Sequence, residues 1–438
     1  MREHGKMMAA CALLLALALC LTACGSQETP KAQETEKGFV PRLDPQISGS
    51  VTVAGHYSNF EALEAEFNRF AQYYPNVQLT YTYMDGYSKS GSGILSTALA
   101  SGEAPDIFFT YPYMDSWPDG AEILAASENL ADPALGLDLG CIRPELLKKD
   151  AEGRVFSVPF YTTTYGMLVN EDLFAKEKIA VPQTYEELVA ACEALQKAGY
   201  ASPVMGYSRS EALLYPLYYP YFCGQIKGDA EALAALNGMG DGAAERARGA
   251  LALTADFAGR GFIRLPDCDA LENNYEAVIL RFFEGDVPMM LATGNTVSGT
   301  EKREVKSEAF TAHPFRYSFH PVPSTAEGGY FINTISAGFG VNRNSANLAL
   351  ANEFMRFLVR AEELNLMAKA KRMVTPCADM SLDSVYAPFQ KVSAQRFINL
   401  SDLGLTDAPI TQLDRAAWRL TTGQMTLEEA VAAFGTLE

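Results

Sequence analysis

From about residue 50 the chain alternates short runs of period two with longer runs of helical period. Val51-Thr52-Val53-Ala54 predicts a strand, and His56-Tyr57 the loop that leaves it. Phe60, Leu63, Phe67, Phe70 and Tyr74 then recur at helical spacing as far as Pro75. Ser58 and Glu61 have the spacing of a capping box for that helix. Val77, Leu79, Tyr81 and Tyr83 alternate, which predicts a second strand. Strand, helix and strand within about 30 residues form a βαβ unit, so a parallel sheet with a right-handed crossover is expected. The pattern continues with a helix near 93–101 and a short buried strand over Pro105–Thr110. Val155–Val158 and Gly166–Val169 read as strands. Thr184 and Glu187 make a second capping box, for a helix ending at Gly199 with Tyr185, Leu188, Cys192 and Leu195 inward. The stretch from Asn170 to about Phe319 is mostly helical in pattern, and no internal repeat is visible. The fold class is α/β.

The N-terminus differs from the rest. Arg2 and Lys6 flank an apolar run of 15 residues, Met7 to Leu21. A spanning helix needs about 20 residues, so the run fits a signal-peptide core instead. It ends in Leu21-Thr22-Ala23-Cys24-Gly25-Ser26, a bacterial lipobox in which Cys24 would become the lipid-modified first mature residue. Residues 1–23 are thus read as signal peptide. Residues 24–46, polar and aperiodic with three prolines, are read as a flexible tether. The expected location is extracytoplasmic, anchored to the cell membrane by lipid.

Composition narrows the function. Of 438 residues 48% are hydrophobic, enough to bury large cores, and the length predicts two or three domains. A formal charge of −18 repels phosphate backbones, so nucleic acid is not an expected partner. It repels anionic headgroups too, leaving lipid as the membrane attachment. Eight cysteines include Cys11, Cys20 and Cys24 at the N-terminus. Cys141, Cys192, Cys223, Cys268 and Cys377 remain, widely spaced and without a Cys-x-x-Cys pair, so neither a zinc site nor a disulfide framework is indicated. There is no Gly-x-Ser-x-Gly elbow, no His-Glu-x-x-His and no Walker A loop. His56, His313 and His320 lack metal-ligand spacing, and Asp267 with Asp269 reads as a surface turn. No catalytic residue, metal or cofactor is expected.

Several segments resemble the bacterial extracellular solute-binding proteins of ABC importers, the carbohydrate-binding group in particular. They are Tyr74-Pro75-Asn76-Val77, Ala98 to Ile107, Gly153 to Phe160 running into Tyr165 to Phe174, and Val181 to Leu188. Phe283 to Met290, Ala337 to Asn342 and the helix Ala349 to Leu358 follow in the family's order. The resemblance implies a two-lobed clamp with a multi-strand hinge, lobe one being 47–163 plus 336–390 and lobe two 164–335 plus 391–438. It implies a monomer that closes on a small solute and docks on the permease subunits of an ABC transporter.

Ligands in open α/β sheets sit at strand C-termini, which points to His56-Tyr57, Asp85-Gly86-Tyr87 and Tyr111-Pro112-Tyr113. Sugars present flat C–H faces and rings of hydroxyls, so aromatic platforms beside amides, carboxylates and imidazoles suit them. Candidate ligand contacts are His56, Tyr57, Asp85, Tyr111, Tyr113, Tyr161, Thr163, Tyr219, Asn295, Ser336 and Arg372, with Tyr165, Tyr215, Tyr218 and Tyr221 as further platforms. Many relatives carry a tryptophan near Gly294-Asn295, whereas this chain has Thr293-Gly294-Asn295-Thr296-Val297. Trp418 falls in an amphipathic helix and reads as core; Trp117, after the Tyr111-Pro112-Tyr113 loop, is placed to line the cleft. Stacking would then rest on tyrosines. A polyamine or peptide, a sensor presenting its ligand to a kinase, and a glycoside-acting enzyme remain alternatives. Tyr218-Tyr219 as an Fe³⁺ site is disfavoured by the apolar run around it.

Overall fold

In the computed structural model the described residues are 38–84, 93–112, 114, 117–206, 213–240, 242–269 and 274–437. They contain two sheets. The first is built from β1 (Gly49–Gly55), β2 (Val77–Tyr83), β3 (Ile107–Thr110), β4 (Val158–Thr163), β9 (Phe331–Val341) and β10 (Phe397–Asn399). The second runs in the order β6-β7-β5-β8, from Val204–Met205, Met289–Thr293, Tyr165–Asn170 and Tyr317–His320. From Pro41 onward both sheets lie within one compact unit.

The expected βαβ unit forms. β1 and β2 pair in parallel, Val51 opposite Leu79, with the helix Glu61–Phe70 between them in sequence. That helix buries Leu63, Phe67 and Phe70. It has no side-chain cap, and the expected Ser58–Glu61 box is absent. The helix begins at Glu61, so the carboxylate is one residue into the helix rather than at the third position a box requires, and it bonds to lysines instead. The Thr184–Glu187 box does form, Thr184 Oγ1 accepting from the Glu187 amide at 3.2 Å. The strand expected at Val155–Val158 starts only at Val158, because Val155 binds Leu130 and Asn129 outside the sheet.

Why the second sheet's strands are continuous apolar runs is clear from its two faces. Val204, Met167, Val169, Met289 and Leu291 enter one core; Met205, Leu168, Met290 and Ala292 enter another. Alternate residues of a strand point to opposite faces, so a sheet covered on both sides has no polar face to alternate with. In the first sheet Phe109, Phe160 and Phe339 form one aromatic stack, Phe160 lying 4.2 Å from Phe339 between centroids. Burying each of these rings stabilises the fold by roughly 1.5–3 kcal/mol.

The chain leaves one sheet for the other between Thr163 and Tyr165. β4 pairs antiparallel with β9, Thr163 opposite Thr334, and β5 pairs with β7, Tyr165 opposite Thr293. The segment Ser384–Lys391 packs against the second sheet: Tyr386 and Phe389 lie on Phe319 of β8.

Candidate functional site

Two groups of polar and aromatic side chains gather where the sheets meet. The first surrounds the β4–β5 crossing. The Gly294 amide donates to the Thr164 carbonyl at 2.8 Å, holding the short helix Gly294–Val297 against the crossing. Ser336 Oγ, on β9, donates to Asn295 Oδ1 at 2.9 Å, so β9 of the first sheet and that helix share a polar contact. Thr163 and Thr164 are buried there with Oγ1 atoms that have no hydrogen-bond partner. Next to Thr164, the Tyr165 ring meets Tyr215 edge-on at 4.9 Å, and Tyr215 stacks on Tyr219 at 4.3 Å. Tyr165 and Tyr215 are half-buried, whereas Tyr219 is wholly covered behind them.

A second group lies at the end of β1. Nδ1 of His56 and the Tyr111 hydroxyl are 2.5 Å apart, and Tyr111 packs on Trp117. Burial pushes the His56 imidazole down to about 4, so the ring is neutral at physiological pH. Lys371 sits over the faces of Tyr57 and Phe60, at 5.4 and 5.8 Å, and 3.4 Å from Glu61 Oε2. Glu61 also meets Lys302, on the helix Thr300–Lys306. Burial alone would raise the Glu61 carboxyl; the hydrogen bond from Lys302 and the charge of Lys371 outweigh it and hold it at about 2. Arg372 continues the network with Thr300, Glu304 and Tyr317 at 3.0, 2.6 and 2.8 Å. Arg372 adopts a left-handed backbone, φ 46°, which turns neighbouring Lys371 and Arg372 to different partners.

The sequence-based candidates separate accordingly. His56, Tyr57 and Tyr111 come together, and so do Thr163, Asn295 and Ser336. Tyr161 does not belong with them: it is completely buried, its hydroxyl donating to the Met367 carbonyl at 3.0 Å beside Phe60 and Phe160. Tyr219 is likewise core, displaced from the surface by Tyr215. The Arg372 guanidinium is engaged by Glu304 and Tyr317. Trp117 is buried against Tyr111, and Trp418 packs against the core as expected. Asp85 and Tyr113 lie outside the described residues, as does Cys24. The Tyr218 hydroxyl binds Asp414, and no group of metal-binding side chains occurs among the described residues. Glu61, Lys302, Lys371 and Glu304 are the additions. No local signal marks them, because charges on helix faces are ordinary solvated residues until the fold pairs them.

Two cavities of about 330 and 350 Å³ lie elsewhere and share no residue with either group. One is lined by Lys227, Asp229, Phe397 and Asp402, the other by Tyr200, Met205, Arg281 and Asp286.

The family model for bacterial extracellular solute-binding proteins matches residues 54–364, a span that holds both groups except Lys371 and Arg372. The chain belongs to that family. Its α/β fold matches solved structures over nearly their whole length. The GacH receptor of Streptomyces glaucescens, solved unliganded and with acarbose, is 17% identical, covering 89% of this chain and 97% of that one at a TM-score of 0.68. RafE of Streptococcus pneumoniae, in its apo form, is 16% identical over 90% of this chain and 99% of that one, TM-score 0.65. A sugar transporter from Bacillus licheniformis, in complex with stachyose, is 16% identical over 88% of this chain and 98% of that one, TM-score 0.62. No curated protein is significantly similar in sequence. This solute-binding protein therefore works on the outer side of the cytoplasmic membrane, and its family binds solutes rather than transforming them.

Proposed function

We propose that the protein captures a carbohydrate between its two sheets and delivers it to the permease of an ABC importer, held at the membrane by lipid on Cys24. The observation that carries this reading is the pairing of half-buried tyrosine rings with amide and hydroxyl groups at the β4–β5 crossing. Tyr165 and Tyr215 offer apolar faces; Asn295, Ser336, Thr163 and Thr164 offer hydrogen bonds. Pyranose rings need that combination, one apolar face and a rim of hydroxyls. The reading is supported by relatives of this fold that are described with acarbose, raffinose and stachyose. In this scheme β4–β5 and β9 act as the hinge, and the Glu61–Lys302 contact bridges the closing edges. Catalysis is no part of it: bound sugar is expected to be recovered intact.

A thermal-shift screen of the purified protein against mono- and oligosaccharides, polyamines, amino acids and short peptides tests the ligand class. A ligand at 100 times its dissociation constant adds about 2.7 kcal/mol of stability. Shifts confined to one sugar series support the proposal; shifts with polyamines or peptides alone overturn it. For the anchor, Cys24→Ala is expected to release the protein from the membrane fraction.

A further inference from the structure

Two cysteines far apart in sequence lie on adjoining backbone segments. Ile142 and Cys377 form an antiparallel bridge, the Ala378 amide donates to the Cys141 carbonyl at 2.9 Å, and the Arg143 amide donates to the Pro376 carbonyl at 3.1 Å. These bonds clamp Cys141 and its neighbours on the 375–378 segment, so the two cysteines are neighbours across the bridge, and the Cys377 thiol donates to the Ala361 carbonyl at 3.9 Å. Both are reduced in this structure. Cys192, Cys223 and Cys268 are buried in the other core and are not in this pair.

We propose that Cys141 and Cys377 form a disulfide once the chain is outside the cytoplasm. The proposal rests on the family's extracellular location and not on the identity of the ligand. The chemistry divides between the two sulfurs. Cys141 is partly exposed and Cys377 only 1% exposed, so Cys141 is the thiol that meets an incoming disulfide, even though the neighbouring Cys377 and burial push its thiol up. The oxidant is the disulfide of an extracytoplasmic thiol–disulfide oxidoreductase, or a small-molecule disulfide. Cys141 sulfur attacks it, one carrier thiolate leaves, the Cys141 proton passes to solvent, and a mixed disulfide stands on Cys141. Cys377 gives up its proton to solvent, its thiolate attacks the Cys141 sulfur and expels the second carrier thiolate, and the two carrier thiolates take up the two released protons. Two protein thiols are oxidised and one carrier disulfide is reduced to two thiols.

The surroundings favour the second step. With Cys141 in the mixed disulfide, the hydrogen bond from Thr375 and the Arg143 guanidinium remain to favour the Cys377 thiolate, against burial and the charge of Asp379. Arg143 itself is fixed by the Thr375 carbonyl at 3.0 Å and Asn333 at 3.1 Å. The bond would fasten the segment that follows Lys371 and Arg372, whose Val374 pairs with Thr162 of β4.

The test uses the full chain, exported by a bacterial host, with thiols alkylated during denaturation and peptides mapped by mass spectrometry without reduction. The expected result is a cross-linked peptide joining Cys141 to Cys377, lighter by two hydrogens than its reduced halves, with Cys192, Cys223 and Cys268 alkylated. The same link should form when the purified reduced protein meets oxidised glutathione, with a higher Tm that reductant reverses. In Cys141→Ser, Cys377 should be alkylated fully and the Tm should ignore reductant. Alkylation of both cysteines after glutathione treatment of the wild-type chain overturns the proposal. So does a reductant-sensitive dimer that depends on Cys141, which would mean pairing between chains.

Discussion

Nζ of Lys302 lies 2.5 Å from Oε1 of Glu61, joining the helix after β1 to the helix that follows β7. These helices follow strands of different sheets, so in the proposed clamp the pair would span the closing gap. Lys371 reaches the other Glu61 oxygen at 3.4 Å, and its neighbour Arg372 holds Glu304 on the Lys302 helix. One carboxylate thus gathers two cations that lie far from it and from each other in sequence.

Both members of that pair are about half exposed, so its contribution is that of a surface pair, about 0.2–1 kcal/mol. Lys302→Met should lower stability by less than about 1 kcal/mol and weaken ligand binding by about two- to fivefold if the pair favours closure. The effect should shrink in high salt. Glu61 is held at about 2 in the folded protein, so its contribution is present above the ordinary carboxylate value and is lost as pH falls towards 2. Urea midpoints and binding isotherms at two salt concentrations check this; a loss of several kcal/mol in stability would contradict it.

His56 and His320 should make the protein acid-sensitive well above the range of the carboxylates. Burial lowers both to about 4, and His320 is bonded to Ser318 at 2.8 Å. The unfolded chain binds protons at these positions near 6.5, before the folded chain does. Stability should therefore rise with pH between about 4 and 6.5, by on the order of 2–3 kcal/mol per histidine, and level off above. His56→Gln should flatten that slope in denaturation curves taken from pH 4.5 to 7.5. An unchanged slope would show that His56 does not carry it.

Tyr161 and Tyr215 should respond in opposite ways. Tyr161→Phe loses one buried hydrogen bond, to Met367, and should cost about 1–2 kcal/mol of stability with an unchanged Kd. Tyr215→Ala removes a half-buried ring beside Tyr165 and should weaken sugar binding by about tenfold, near 1.4 kcal/mol. Calorimetric titration of both variants is the check, and a larger binding loss in Tyr161→Phe would reverse the assignment.

Gly294 sits where no side chain fits. A Cβ there would lie 2.6 Å from Thr163 Oγ1, 3.1 Å from the Tyr386 hydroxyl and 3.3 Å from the Thr164 amide. Gly294→Ala should force the Gly294–Val297 helix off the crossing, costing about 1–3 kcal/mol and lowering affinity through Asn295. Gly93→Ser, with open space around its Cβ position but φ 62°, serves as a strain-only control whose Kd should not move.

Much of the architecture was legible along the chain. Strands β1, β2, β3 and β5, the helices beginning near 61, 94 and 185, and the Thr184 cap all follow from local periodicity and capping chemistry. Asp106 ties β1 to the start of β3, accepting from the Thr52 amide at 2.7 Å. The Ser58 cap was misread because Glu61 has better partners than a backbone amide, and those partners lie more than two hundred residues away. Tyrosines could not be sorted by sequence. Tyr161 and Tyr165 stand four residues apart, yet one is sealed beneath Met367 and the other opens beside Tyr215.

The sequence by itself therefore determined the α/β class, the family and the order of elements, since these depend on spacing between near neighbours. The tertiary structure alone decided which rings are left partly open, which charges meet at Glu61 and which cysteines become neighbours. Those outcomes depend on distances between residues remote in the chain, and a side chain that serves a core and a ligand equally well carries no local mark of which it will do.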